Sequence, residues 1–274
     1  MAVLKTGLIG AGVFGGYHAG KIAGSAKTEF VGVFDPDKER CSVLAAKHGV
    51  QAFGTQLELL NALDAVIVAC PATYHEAVVS EAIATGVHTM VEKPLALTGQ
   101  GAKELASRAD AAGLILQVGH QERFVLEAMG LFDIPETPKS IKALRMSPPA
   151  PDGRAGDVSV IWDLMIHDLD MAARLMGTNA SVQASGRSVH SKHIDDATAE
   201  LSFPSGKAII SASRAAAERD RKMTLEFPSG TIAIDFLTRS VSNTTPFDVR
   251  ADVSEMMPDP VSYTHLTLPT TSRV

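Results

Sequence analysis

Three short stretches of this 274-residue chain hold side chains able to do chemistry in a folded setting. Glu92-Lys93-Pro94 closes the apolar run 87–92, as the end of a buried strand would. A lysine there can donate to a ligand hydroxyl, and desolvation would lower its pKa towards that of a usable base. The plainer alternative is a solvated surface lysine, which most lysines are. The second stretch is a helix predicted over residues 160–176, with Gly177 as its stop. It carries Asp163, His167, Asp170 and Arg174 at i, i+4, i+7 and i+11, hence along one face. Histidine titrates near neutrality and suits proton transfer from an alcohol, and Asp163 stands one turn from His167. Salt-bridge pairing along the helix explains the same spacing without catalysis. A metal site on Asp163, His167 and Asp170 is a third reading, weakened by the want of a second nearby histidine; no metal is expected. In the third stretch, His120 to Phe124, Arg123 offers a planar fork for an anionic group, or else a salt bridge tying domains together.

Positioning these groups requires a scaffold, and the first half of the chain spells one out. Gly10-Ala11-Gly12-Val13-Phe14-Gly15 lies between a strand (6–10) and a helix (13–26). In that spacing Gly10 permits a tight turn, Gly12 lets a pyrophosphate approach the backbone, and Gly15 lets the helix pack on the strand. The helix N-terminus then turns unsatisfied N–H groups towards phosphate. Asp35 follows Gly15 at the offset of a ribose-binding carboxylate and ends the second predicted strand, 29–35. A carboxylate there accepts from both ribose hydroxyls and repels a 2′-phosphate, and Pro36-Asp37 supplies no arginine to reverse that. NAD is therefore expected in preference to NADP. The alternative is an exposed turn aspartate before a proline.

Further strands (65–70, 87–92, 114–118) alternate with helices (36–48, 75–85, 101–112), which predicts a parallel sheet covered on both faces. After Lys139 strand-like runs are separated by Pro-Ser-Gly turns at 204–206 and 228–230. The fold class expected is α/β, an N-terminal Rossmann domain over 1–120. An α+β domain with a mostly antiparallel open sheet follows over 121–260.

Composition narrows the function. A net charge of -6 without a Lys/Arg cluster disfavours nucleic acid. Two distant cysteines, Cys41 and Cys70, read as buried reduced thiols of a cytoplasmic protein. Residues 1–20 lack the marks of a signal peptide, and no apolar run reaches membrane-spanning length, so no membrane partner is expected.

The glycine loop, Pro71-Ala72-Thr73-Tyr74-His75, Glu92-Lys93-Pro94 and Asp163-Leu-Met-Ile-His167-Asp168, in this order, resemble the Gfo/Idh/MocA oxidoreductase family over most of residues 1–240. The resemblance implies hydride transfer between a sugar-like alcohol and the nicotinamide ring of NAD. It implies that Lys93 contacts the reacting hydroxyl, His167 passes the proton and Asp163 orients the substrate, with Lys93-Pro94 in cis. For the cofactor it implies Gly10, Gly12, Val13, Phe14, Gly15 and Asp35, together with Pro71, Thr73, His75, Glu92 and Lys93. Residues 119–124 and the stretch Ser211 to Lys222 are similar to the nucleotide-sugar branch, which oxidises C3 of UDP-N-acetylglucosamine. That similarity adds His120, Arg123 and Arg214 to the substrate set, with Arg219, Arg221 and Lys222 as further partners for a diphosphate. The charged strand reads equally as a sheet edge or an oligomer surface, and a homo-oligomer through the C-terminal sheet is expected.

Alternatives are an inositol or simple sugar dehydrogenase, a catalytically silent NAD-binding regulator, and a redox-neutral glycosidase using bound NAD. Lys93 and His167 favour an enzyme, because a sensor needs neither. Residues 261–274 change composition abruptly and resemble translated sequencing-adapter read-through. They are expected to pack poorly, the native chain continuing past about residue 260 with an apolar patch left uncovered.

Overall fold

The computed structural model describes residues 3–149 and 156–250. The expectation for residues 261–274 lies outside them. Two compact units divide the chain, one running to Gly119 and the other beginning at His120.

In the first unit the elements are β1 (Leu4–Ile9), α1 (Val13–Gly24), β2 (Thr28–Phe34), α2 (Lys38–His48), β3 (Gln51–Ala52) and α3 (Gln56–Leu60). They continue with β4 (Ala65–Val68), α4 (His75–Ala84), β5 (His88–Glu92), α5 (Gly99–Ala111) and β6 (Leu116–Gly119). All six strands run parallel in the order β3-β2-β1-β4-β5-β6. Alternate side chains of β1 go to opposite faces: Leu8 joins α1 and α2 residues such as Ile22 and Leu44, while Ile9 joins Val79 of α4 and Leu105 of α5. Two apolar layers thus clamp the sheet, and every strand's carboxyl end opens on the same edge.

Local chemistry fixes the helix ends. Asp37 caps α2 by accepting from Glu39 and Arg40 N–H, so that helix starts at residue 38 rather than 36. The Thr98 hydroxyl accepts from Gly101 N–H and starts α5 at Gly99, two residues before the sequence reading. β3 and α3 were not anticipated. The latter is held by a capping box in which Thr55 and Glu58 satisfy each other's backbone.

The second unit contains α6 (Glu122–Ala128), β7 (Ser140–Met146), a π turn (Ile161–Met165) and α7 (Ile166–Met176). β8 (Ser181–Arg187), β9 (Asp196–Phe203), β10 (Gly206–Ser213), β11 (Asp220–Phe227), β12 (Gly230–Asp235) and β13 (Ser240–Asn243) follow. The sheet order is β13-β12-β11-β7-β10-β9-β8, antiparallel throughout except where β7 lies parallel to β10. This is the mostly antiparallel sheet expected. One face packs Ile141, Ile210, Met223 and Leu225 against Leu126, Met165 and Met171 of the helical segments. The single helix predicted over 160–176 is instead a π turn leading into an α-helix. Of the two cysteines, Cys41 is buried, but Cys70 is only partly so; both are reduced.

Candidate active site

The glycine loop follows β1, where the strand order reverses between β1 and β4, the place at which open α/β sheets take ligands. Gly10 has φ 103°, and a Cβ on it would lie 2.6 Å from the Ala69 carbonyl and Cys70 N–H at the end of β4. On Gly15 a Cβ would lie 1.9 Å from the Gly10 carbonyl oxygen, so α1 can approach β1 only without a side chain there. Gly12 differs: a Cβ there would meet nothing within 4 Å. Its lack of a side chain answers to nothing in the protein's own packing and fits a backbone that a phosphate must reach. Gly12 also caps α1, with no side-chain hydrogen bond and no acidic residue in the first turn, leaving the helix dipole facing the loop. Val13 and Phe14 are exposed beside it. Asp35 stands just beyond β2 and accepts the Ala11 N–H on Oδ2 at 2.6 Å and the Asp37 N–H on Oδ1 at 2.8 Å. The carboxylate is thus fixed against the loop with lone pairs left for further donors. These residues fit a dinucleotide.

Lys93 follows β5, on the same edge of the sheet as the loop. Its bond to Pro94 is cis. Two histidines, each 1% exposed, grip the residues on either side of it. His18 of α1 meets Glu92 Oε1 through Nε2 at 2.7 Å. His75, at the start of α4, reaches the Pro94 carbonyl with Nδ1 at 2.6 Å and the Cys70 carbonyl with Nε2 at 2.9 Å. Sequence reasoning grouped Glu92 and His75 with the cofactor contacts. In the structure their polar atoms tie the residues flanking Lys93 to α1 and to the loop after β4, where Pro71 and Thr73 are exposed. Burial pushes the adjacent Cys70 thiol up to about 11, which keeps it protonated and inert at neutral pH.

In the second unit His167 is 6% exposed at the start of α7, and Asp163 lies in the π turn before it. Asp170 pairs outside its own helix: it accepts both Arg123 Nε (2.8 Å) and an Arg123 terminal nitrogen (2.5 Å), with His120 Nδ1 at 3.7 Å. Arg174 lies over the Phe132 ring. The Arg123 fork is therefore filled from within its own unit, and these hydrogen bonds raise its pKa. Beside His167 stand three charged residues that sequence reasoning assigned no role, Glu122, Arg145 and Asp168, all buried. Arg145 binds Asp168 through two bonds of 2.8 and 2.9 Å. Burial works to lower the Arg145 pKa, but Asp168 and then Glu122 more than reverse it. A signal was available for Arg145, since it occupies the inward phase of β7 after Ile141 and Ala143, where an apolar residue is expected.

Among the arginines expected to meet a diphosphate, Arg214 is committed internally. Its guanidinium donates to Asp195 Oδ1 at 2.8 Å and to the Val158 carbonyl at 2.6 Å, with 9% exposure. Arg221 donates to Glu122 and lies over the Phe236 ring at 4.6 Å. Burial pulls its pKa below the arginine range, with Glu122 opposing. Lys222 pairs with Asp220, and Arg219 is exposed. Among the described residues no cluster of His, Cys, Asp and Glu is arranged to hold a metal, and no helix is long and apolar enough to cross a membrane.

Residues 4–120 match the model of an oxidoreductase family with an NAD-binding Rossmann fold, and residues 144–250 match the C-terminal domain of the same family. The UDP-N-acetylglucosamine 3-dehydrogenase of Acidithiobacillus ferrooxidans is 35% identical over 248 residues, covering 88% of this chain and 77% of that protein. Its solved structure superposes with a TM-score of 0.80 at 33% identity, over 91% of this chain and 82% of that one. An inositol 2-dehydrogenase of Cereibacter sphaeroides is 33% identical over 182 residues, which are 63% of this chain and 54% of that protein. Both domains, in the expected order and with the dinucleotide loop intact, make this chain a member of the Gfo/Idh/MocA family of NAD-binding oxidoreductases.

Proposed function

We propose that the chain is an NAD-dependent dehydrogenase of a sugar or nucleotide-sugar hydroxyl, with C3 of UDP-N-acetylglucosamine as the preferred position. The observation that carries this reading is the placing of the glycine loop, Asp35 and Lys93 along the carboxyl edge of one parallel sheet. The glycine loop and Asp35 would hold NAD, which would supply the hydride acceptor for the substrate carbon. Lys93 donates to the reacting hydroxyl and stabilises the oxygen as its proton leaves; His167 takes that proton; Asp163 orients the pair. Asp35 favours NAD over NADP by repelling a 2′-phosphate. Arg123 and His120, already engaged with Asp170, border the substrate rather than grip a diphosphate. The identity of the 35% relative supports the nucleotide sugar, and that of the inositol dehydrogenase supplies the competing substrate.

The test is NADH absorbance with purified protein, NAD or NADP, and a panel holding UDP-N-acetylglucosamine and myo-inositol. Turnover with NAD, at least tenfold above NADP and reduced at least a hundredfold in Lys93→Ala and His167→Ala, is the expected result; general acid–base groups commonly contribute about 10²–10⁴-fold. NAD binding without NADH from any substrate would move the assignment to a regulator or a redox-neutral enzyme.

A further inference from the structure

Five ionisable side chains from four elements meet inside the second unit: Glu122 of α6, Arg145 of β7, His167 and Asp168 of α7, and Arg221 of β11. The first four are each less than one-tenth exposed. Two carboxylates face two guanidiniums, so the group closes at zero net charge before His167 is counted. The members are not equivalent, however. Asp168 spends both oxygens on Arg145. Glu122 divides its own: Oε2 receives Arg221, while Oε1 lies 3.5 Å from Arg145 and 3.9 Å from His167 Nδ1.

We propose that Glu122 is a positioning residue that acts through His167, its carboxylate placing negative charge 3.9 Å from Nδ1 without a hydrogen bond and so favouring the protonated ring, with Arg221 setting how much of that charge reaches it. This rests on the reading of His167 as proton acceptor. When the alcohol is oxidised, its O–H proton moves to Nε2, its C–H hydride to the nicotinamide, and a carbonyl forms. The imidazolium then created gains from Glu122, and Arg145 and Arg221 limit the gain. That balance keeps the proton transferable in both directions. Asp168 holds Arg145 in place and thereby keeps that arginine from claiming Glu122 entirely. These elements also carry Glu127, Lys142, Arg174, Asp220, Lys222 and Glu226; Asp163 lies in the π turn before α7, and Arg123 pairs with Asp170, which His120 also approaches.

The titration of His167 separates this role from mere packing. Side-chain NMR of the full chain, with the resonance assigned through His167→Asn, gives its midpoint directly and needs no turnover. Glu122→Gln removes the charge and keeps the shape, and the midpoint is expected to fall by about one unit. Arg221→Gln, at a side chain 29% exposed, removes the opposing cation. There the midpoint is expected to rise. Opposite shifts cannot come from a shared loss of packing. Absence of a shift in either variant, or shifts of one sign, overturns the proposal. If the shifts appear while the wild-type protein turns over no alcohol, the dehydrogenase reading fails and the Glu122–His167 coupling stands. With turnover, the acid limb of the kcat/KM profile moves with the NMR midpoint.

Discussion

Asp195 gathers more donors than any residue discussed above. The N–H groups of Val189, His190 and Ser191 reach Oδ2 at 2.8–2.9 Å, and Ser191 Oγ and Arg214 Nε reach Oδ1 at 2.9 and 2.8 Å. Burial acts to raise this carboxyl; the Val189 N–H, Arg214 and the other two N–H groups outweigh it and hold the pKa well below the carboxylate range. Removing one partner of a buried ion pair costs about 3–5 kcal/mol, so Asp195→Asn should lower the melting temperature distinctly at pH 7. The exposed Arg187–Asp196 pair beside it contributes at most about 1 kcal/mol. Because the folded pKa of Asp195 is depressed, its contribution is complete above the unfolded value near 3.9 and is lost as the pH falls towards the folded value. Urea denaturation at pH 7 and pH 3 should show the gap between wild type and Asp195→Asn closing on acidification; a constant gap would assign the loss to packing. At this scale the sequence was readable where partners are local. Gly10, Gly12, Gly15 and Asp35 belong to one strand–loop–helix turn and the end of the neighbouring strand, so spacing alone marked them as candidates. Glu122 looks like any surface glutamate, because Arg221, its partner, stands 99 residues away.

Among the elements, α1 and β1 make the sharpest experiment, since Gly12 and Gly15 stand three residues apart and meet opposite surroundings. Gly12→Ala adds a methyl to open space at φ -76°, a conformation that alanine adopts readily. The variant should melt with the wild type yet bind NAD at least tenfold more weakly by calorimetry. Gly15→Ala drives a methyl into the Gly10 carbonyl, and overpacking of this kind costs about 1–3 kcal/mol. It should lose stability and NAD affinity together. Equal melting of the two variants would refute these separate assignments. Long elements with strong periods were legible before the structure: the β1–α1–β2 unit and the 160–176 helix. The two-residue β3 and five-residue α3 were not, being too short to show a period, although Thr55 and Glu58 carried a capping-box signal. The π turn also escaped notice, because a single wide turn at the head of a helix leaves no mark of its own in the apolar pattern.

At the level of the whole molecule, each unit encloses its own apolar clusters, and what differs is the face left over. The parallel sheet has helices on both sides. Among the described residues the helical segments of the second unit pack on one face of its sheet, and the outward phases of β7 and β10 include Leu144, 39% exposed, and the partly exposed Ile209. We infer that this face joins copies of the chain. Sedimentation of the wild type should show a species larger than a monomer, and Leu144→Asp should dissociate it; a monomeric wild type would sink the idea. β7 carries one further consequence, in the time order of synthesis. It is central in its sheet, yet its partners are β10 and β11, the second of which ends at Phe227. A ribosome adding about 5–20 residues per second must run for roughly 4–16 s after Met146 before both flanks can be paired. Until β10 is complete at Ser213, Ile141 and Leu144 belong to a strand with two open edges, and until Phe227 to one with a single open edge, a template for pairing with other chains. In the first unit β1 has both its partners, β2 and β4, once Val68 is made, 59 residues after Ile9, so its wait is shorter. The second unit is therefore the part of the chain with the greater need of a chaperone while it is being made.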